Sequence, residues 1–101
     1  MARTVRYHPL FEADVIEAAD WYDARSSGLG DAFATNVFIA AESIISDPDR
    51  FALTANGLRY LRVQRFPYVV LFSVTDKELL ILGALHTARS IEKWRKKRGS
   101  Q

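Results

Sequence analysis

Three arginines stand on one short run, Arg59-Tyr60-Leu61-Arg62-Val63-Gln64-Arg65, whose alternation of apolar and polar residues suits a β-strand with one wet face. If Leu61 and Val63 face the core, then Tyr60, Arg62 and Gln64 point to the opposite side, because successive strand side chains alternate. Arg62 then stands in the open. A guanidinium grips phosphate or carboxylate through two parallel hydrogen bonds, and an adjacent tyrosine ring can stack on a base or an aromatic side chain. The same pattern also suits a solvated strand whose charges discourage edge pairing. Further along, His86 ends an apolar run and Arg89 follows shortly after, so both are expected at the end of the sheet beside Arg62. A histidine among arginines can move a proton near a phosphate, since its unperturbed pKa is about 6.5. It can equally satisfy a loop carbonyl.

Other chemistries find less support. There is no cysteine, and His8 is the only histidine besides His86, so no metal site is expected, and no cofactor either. Glu12, Asp14, Glu17 and Asp20 resemble a supply of paired carboxylates for hydrolysis, yet acids on the wet face and in the first turns of an amphipathic helix need no catalytic explanation. Trp21, Tyr22 and Trp94 are packing or interface anchors. No glycine-rich phosphate loop, Walker lysine or G-x-S-x-G elbow is present.

The elements that must position these residues follow from periodicity. Val5 and Tyr7 alternate with Arg6 and His8 as a short strand would, and Pro9 ends it and opens a helix. Phe11, Val15, Ala18 and Tyr22 recur at helical spacing to about Arg25. Gly28 is suited to a left-handed cap, with Ser27 or Asp31 available to cap the next helix. Leu29, Phe33, Val37, Ala40, Ala41 and Ile44 mark that second helix, which stops at Ser46-Asp47-Pro48. After a loop through Asn56-Gly57 come three strand-like runs, Leu58 to Arg65, Tyr68 to Thr75 and Glu78 to His86, with no helix between them. Tyr68 to Phe72 is apolar at nearly every position, as a central strand would be. A short helix from Ile91 closes the order. Helices segregated from an antiparallel sheet define an α+β domain.

The chain has 101 residues, which suits one domain over residues 1–101 with one core. With 49% hydrophobic and 26% charged residues it lies well away from disordered compositions. Its net charge of +2 is too mild for a general nucleic-acid binder. Acids concentrate in the first half and Arg or Lys in the second, so two electrostatic faces are expected. The apolar stretches fall short of a membrane span, and the absence of cysteine suits a reducing compartment, so a cytoplasmic location is expected.

The element order, the run Gly57-Leu58-Arg59-Tyr60-Leu61-Arg62-Val63 followed by Phe66-Pro67-Tyr68-Val69-Val70-Leu71-Phe72, and Leu85-His86-x-x-Arg89 before Trp94 together resemble the RelE/ParE toxin superfamily. The resemblance implies a helical hairpin packed on a curved antiparallel sheet, order β-α-α-β-β-β with a short C-terminal helix. It also implies a toxin component of a type II toxin-antitoxin, or plasmid stabilisation, module, in hetero-oligomeric complex with a cognate antitoxin protein held in the apolar groove between hairpin and sheet. RelE-like members cleave messenger RNA on the ribosome, and Arg62, His86 and Arg89 are the catalytic candidates on that reading. Their usual sheet lysines, or glutamate and histidine with a tyrosine close to the chain's end, are incomplete here: Thr87 follows His86 and nothing aromatic lies beyond Trp94. The Phe-Pro-Tyr hairpin and the His-x-x-Arg ending look more like the ParE side, whose members inhibit DNA gyrase and replication with no established catalytic set of their own. On that reading Arg59, Arg62, Arg65, Arg89, Trp94 and Arg95 are candidate target contacts. A degenerate, non-toxic member that only binds its antitoxin is a further alternative.

Overall fold

A computed structural model describes residues 3–54 and 57–98, and only the backbone of Lys97. Asn56 of the expected loop and the first two residues lie outside the described residues. Strand β1 (Thr4–Tyr7) leads into helix α1 (Phe11–Asp23), then helix α2 (Leu29–Ser46) and a 3-10 turn (Pro48–Arg50). Strands β2 (Arg59–Arg62), β3 (Tyr68–Val74) and β4 (Glu78–His86) follow, and helix α3 (Ile91–Arg98) comes after them.

The helix boundaries have local causes. Pro9 lies in a turn rather than in α1; the turn is held by His8, whose buried ring accepts the Leu10 amide at 3.0 Å through Nδ1 while its carbonyl accepts the Phe11 amide at 2.9 Å. Between α1 and α2, Gly28 takes φ 86 and lets the chain reverse. Neither Ser27 nor Asp31 caps α2 through its side chain, contrary to expectation. Asp23 does so from α1, its Oδ1 accepting the Gly30 amide at 2.7 Å. Pro48, buried, stops α2 and starts the 3-10 turn.

The sheet order is β1-β4-β3-β2, with β4 and β3 central. The meander β2-β3-β4 is antiparallel as expected, but β1 joins β4 in parallel, with Thr4 opposite Glu78 and Tyr7 opposite Ile81. A parallel neighbour requires a long crossover. The helical hairpin and the first two meander strands provide it. Phe72 opposes Ile81 whereas Leu71 opposes Gly83, so Leu82 is an extra residue in β4, a bulge that re-aims the strand's second half.

Both sheet faces are apolar. Val63, Val70, Phe72, Leu79 and Ile81 meet Phe11, Val15, Phe33, Val37 and Ile44 of the hairpin in the main core. Phe33, Val37 and Ile44 are wholly excluded from solvent, and each such side chain is worth about 2 kcal/mol of burial. On the other face Leu58, Leu71, Leu80, Leu82 and Leu85 form a second cluster, closed by Trp94 of α3.

At the hairpin crossing Gly30 is buried, and a Cβ there would meet the Ala19 carbonyl oxygen and lie 2.7 Å from Asp23 Cγ. Gly30→Ala should therefore cost about 2 kcal/mol through overpacking. Asp23→Ala should cost about 1 kcal/mol through the lost cap. Urea unfolding of both variants measures these losses.

Candidate functional site

β1 covers only the first part of β4, and the His8 amide extends the ladder by one bond to the Ile81 carbonyl at 2.8 Å. Beyond that point two side chains take the place of a strand. Asp14 of α1 accepts the Ala84 amide at 3.1 Å through Oδ2, and Arg98 of α3 donates to the Leu82 carbonyl at 3.4 Å. Arg98 also donates to the Asp14 carboxylate, closing an ion pair in which the two side chains are 7% and 17% exposed. Gly83 lies beneath: a Cβ there would strike the Asp14 carboxylate and come within 2.7 Å of the Trp94 ring. Burial raises the Asp14 carboxyl above its ordinary value, although Arg98 and the Ala84 amide pull it down.

Beside this pair runs a groove of about 830 Å³. One wall is α1, through Asp14, Glu17, Trp21 and Tyr22, with Leu10 just before it; the other is α3, through Trp94 and Arg98. Tyr68, Ala84 and His86 come from the sheet, and Arg89 from the loop after β4. The Tyr68 and His86 rings meet edge to face at 5.2 Å, and Tyr22 and Tyr68 at 6.3 Å. Desolvation raises both phenols above their usual range, with Arg89 opposing this at Tyr68. Both therefore keep their protons at neutral pH and present hydroxyls. His86 Nδ1 accepts the Ala88 amide at 3.0 Å, so the neutral ring carries its proton on Nε2. Apolar walls with a few hydroxyls, an imidazole N–H, a guanidinium and the Glu17 carboxylate are the makings of a binding groove.

The three residues expected to converge do not. Arg62 opposes Val69 while His86 opposes Tyr68, and adjacent residues of β3 face opposite sides of the sheet. His86 and Arg89 line the groove, whereas Arg62 lines a separate pocket of about 230 Å³ with Asn36, Ser43, Arg50 and Gln64. No residue is common to the two.

The remaining expected contacts divide. Arg62, Arg65, Arg89 and Arg95 are exposed. Arg65 sits in the β2–β3 turn at φ 73, a left-handed conformation that costs a residue with a side chain about 1 kcal/mol. Arg59 is half-buried and donates to the Phe51 and Asp49 carbonyls at 2.6 and 3.3 Å, tying the 3-10 turn to β2. Trp94 is only 8% exposed and belongs to the second core cluster, because its ring closes over Gly83 and the leucines of β4. Glu12, Glu17 and Asp20 do lie on the exposed face of α1. Asp14 does not, and sequence reasoning missed both it and Arg98. The signal was Gly83, since a glycine inside an apolar strand marks a place where another group approaches the backbone closely.

The family model described as the ParE toxin of type II toxin-antitoxin system, parDE, matches residues 5–91. Among solved structures the chain is similar to one from a chromosomal ParDE TA system from P. aeruginosa, at 18% identity and a TM-score of 0.73, covering 83% of this chain and 95% of that one. No curated protein matches it.

Removing Arg98 leaves a desolvated carboxylate without its partner, so Arg98→Met should cost ~3 kcal/mol and raise the Asp14 carboxyl further. Since the native carboxyl already titrates above its unfolded value, its ionisation costs stability as pH rises through that window. Asp14→Asn lacks this dependence, so its stability relative to the parent should improve as pH climbs from the ordinary carboxylate value towards neutrality. Unfolding curves across that range, with carboxyl chemical shifts for Asp14, measure both effects.

Proposed function

From its membership of the ParE toxin family of type II toxin-antitoxin systems, to which the chain belongs, we propose that it arrests growth by binding and inhibiting DNA gyrase and that a cognate antitoxin neutralises it. The observation that carries a binding mode rather than a nuclease is the separation of Arg62 from His86 and Arg89. Cleavage of RNA by its own 2′-hydroxyl needs a base, an acid and cations around one phosphorus atom. Here the histidine and the strand arginine lie on opposite faces of the sheet, whereas a macromolecular contact needs only exposed groups spread over a surface. Arg62, Arg65, Arg89 and Arg95 supply those groups, while Trp94 packs in the second core cluster and Arg59 ties the 3-10 turn to β2.

The groove between α1 and the sheet is the antitoxin's place on this reading. Its apolar walls suit one face of an amphipathic segment, and its hydroxyls and Arg89 suit the polar edge. The pair would then form a hetero-oligomer in the cytoplasm, and a plasmid carrying both genes would be stabilised.

Pulse-labelling of DNA and protein synthesis within minutes of inducing the chain without antitoxin tests the target. DNA synthesis should fail first, and the purified protein with gyrase should accumulate cleaved supercoiled plasmid. Arg62→Ala should weaken that inhibition about tenfold, the worth of one charge-assisted contact. If protein synthesis fails first and mRNA is cut when ribosomes are present, gyrase is the wrong target. Normal growth with intact antitoxin binding would mark the chain as a non-toxic partner.

A further inference from the structure

We infer that the end of the large groove formed by Tyr22, Tyr68, His86 and Arg89 is a subsite for a carboxylate, and that its occupant is an acidic side chain carried on an apolar antitoxin segment. The occupant rests on the reading of the groove given above; the ligand chemistry rests on the side chains alone. Register and ring contacts bring the four residues together. Tyr68 stands opposite His86 across β3 and β4, and their rings meet at 5.2 Å, while Tyr22 reaches Tyr68 from α1 at 6.3 Å. Arg89 follows on a turn in which its amide donates to the His86 carbonyl at 3.0 Å. Desolvation does most to raise the Tyr68 phenol, Tyr22 adds to it, and Arg89 opposes both more strongly than Glu17 or Asp14 reinforces them. The two hydroxyls and the guanidinium therefore lie within electrostatic reach of one another.

What these groups have left to give is donors. Among the described residues the Tyr22 and Tyr68 hydroxyls and the Arg89 guanidinium make no hydrogen bond or ion pair to the protein. His86 spends Nδ1 on the Ala88 amide at 3.0 Å, which leaves its Nε2–H unspent in the groove wall. Guanidinium and imidazole N–H can only donate, and a hydroxyl can turn to do the same. A ligand that fits must bring acceptors.

Charge decides between a carboxylate and a phosphate. Among the ionised groups lining the groove, Asp14 and Arg98 neutralise each other, and Arg89 is matched in number by Glu17 on the α1 wall. Nothing is left over for the second charge of a phosphate, whereas a single carboxylate is held by one guanidinium and by neutral donors. Glu17 and Arg89 form no ion pair with each other, so the guanidinium fork stays available. Size decides between a segment and a free small acid. The groove of about 830 Å³ is far larger than a carboxylate, and Leu10 and Trp21 on its walls are 46% and 52% exposed. A small acid would leave that apolar area in water. An apolar stretch bearing one acid covers it and fills the donors together.

Hexanoate is the probe, an apolar stem ending in one carboxylate, with hexanamide and hexylphosphonate as its neutral and doubly charged counterparts. Each is titrated into the isolated protein and followed by the Trp21 indole, Ala88 amide and His86 ring resonances. Hexanoate should shift all three and bind about tenfold tighter than either counterpart. Arg89→Gln should weaken hexanoate about tenfold, and Tyr68→Phe, which keeps the ring packing, about threefold. Hexanamide should be indifferent to Arg89→Gln. Arg50→Gln removes the same charge from outside this groove and should leave hexanoate affinity unchanged. Silence of the groove resonances towards hexanoate, equal binding of either counterpart, or an equal loss from Arg50→Gln overturns the subsite. No antitoxin takes part, so none of these results touches the reading of the groove. That reading is tested apart by Trp21→Ala, which should weaken binding of the cognate antitoxin about tenfold or more. Undiminished antitoxin binding overturns the reading and the occupant with it; loss in both Trp21→Ala and Arg89→Gln supports the two together.

Discussion

A strand at the centre of a sheet must have both rows of backbone groups satisfied, and β4 is given a strand neighbour along only part of one side. Everything around the groove follows from how the remainder is supplied. Asp14 accepts where a strand carbonyl would, Arg98 donates where a strand amide would, and each neutralises the other. An ion pair this desolvated adds little net stability compared with apolar groups of the same shape. Its contribution is positional. It sets α1 against β4 at one height, draws α3 across Gly83, and leaves the groove between them open.

That arrangement separates the molecule's polar chemistry into two places. On the α1 side, desolvated tyrosines, His86 and Arg89 share a concave surface with apolar walls. At the β2 edge, exposed Arg50 and Arg62 border a smaller hollow whose lining mixes Asn36, Ser43 and Gln64 with Ile39, Ala40, Phe51 and Leu61. The bulge at Leu82 turns Ala84 and His86 toward the first place, and the turn through Arg65 ends β2 at the second. Separation of this kind favours recognition by two partners over a reaction at one atom.

Much of this architecture was legible in the sequence. The apolar stripe from Phe33 to Ile44 and the continuous run of β3 declare their elements, because burial on one face or two writes itself into periodicity. The edges of Glu78–His86 were legible for the same reason. The parallel partner of β4 was not, since alternation in Val5 and Tyr7 tells which face is buried and says nothing about which strand lies alongside. Asp14 read as one more acid on a wet helix because its role depends on β4 passing beneath it, a contact across 70 positions of sequence. Arg59 read as a target contact, and Trp94 as a packing or interface anchor that could also be one, for a related reason: a half-buried arginine and an exposed one look alike until their carbonyl partners are placed. Only Gly83, an unexplained gap in an apolar strand, hinted at what the packing would require.

The pairing of β1 with β4 also bears on when this molecule comes into being. β1 is synthesised before the other strands, but β4, its sheet neighbour among the described residues, is made after β2 and β3, and the arginine that completes the edge is made later still. Contacts between such distant positions form late, after the entropy of closing the intervening chain has been overcome. A growing polypeptide on the ribosome thus has its helical hairpin long before it has a sheet. The groove exists only once α3 has been made and Arg98 has reached Asp14, so this binding surface comes into being whole rather than piece by piece.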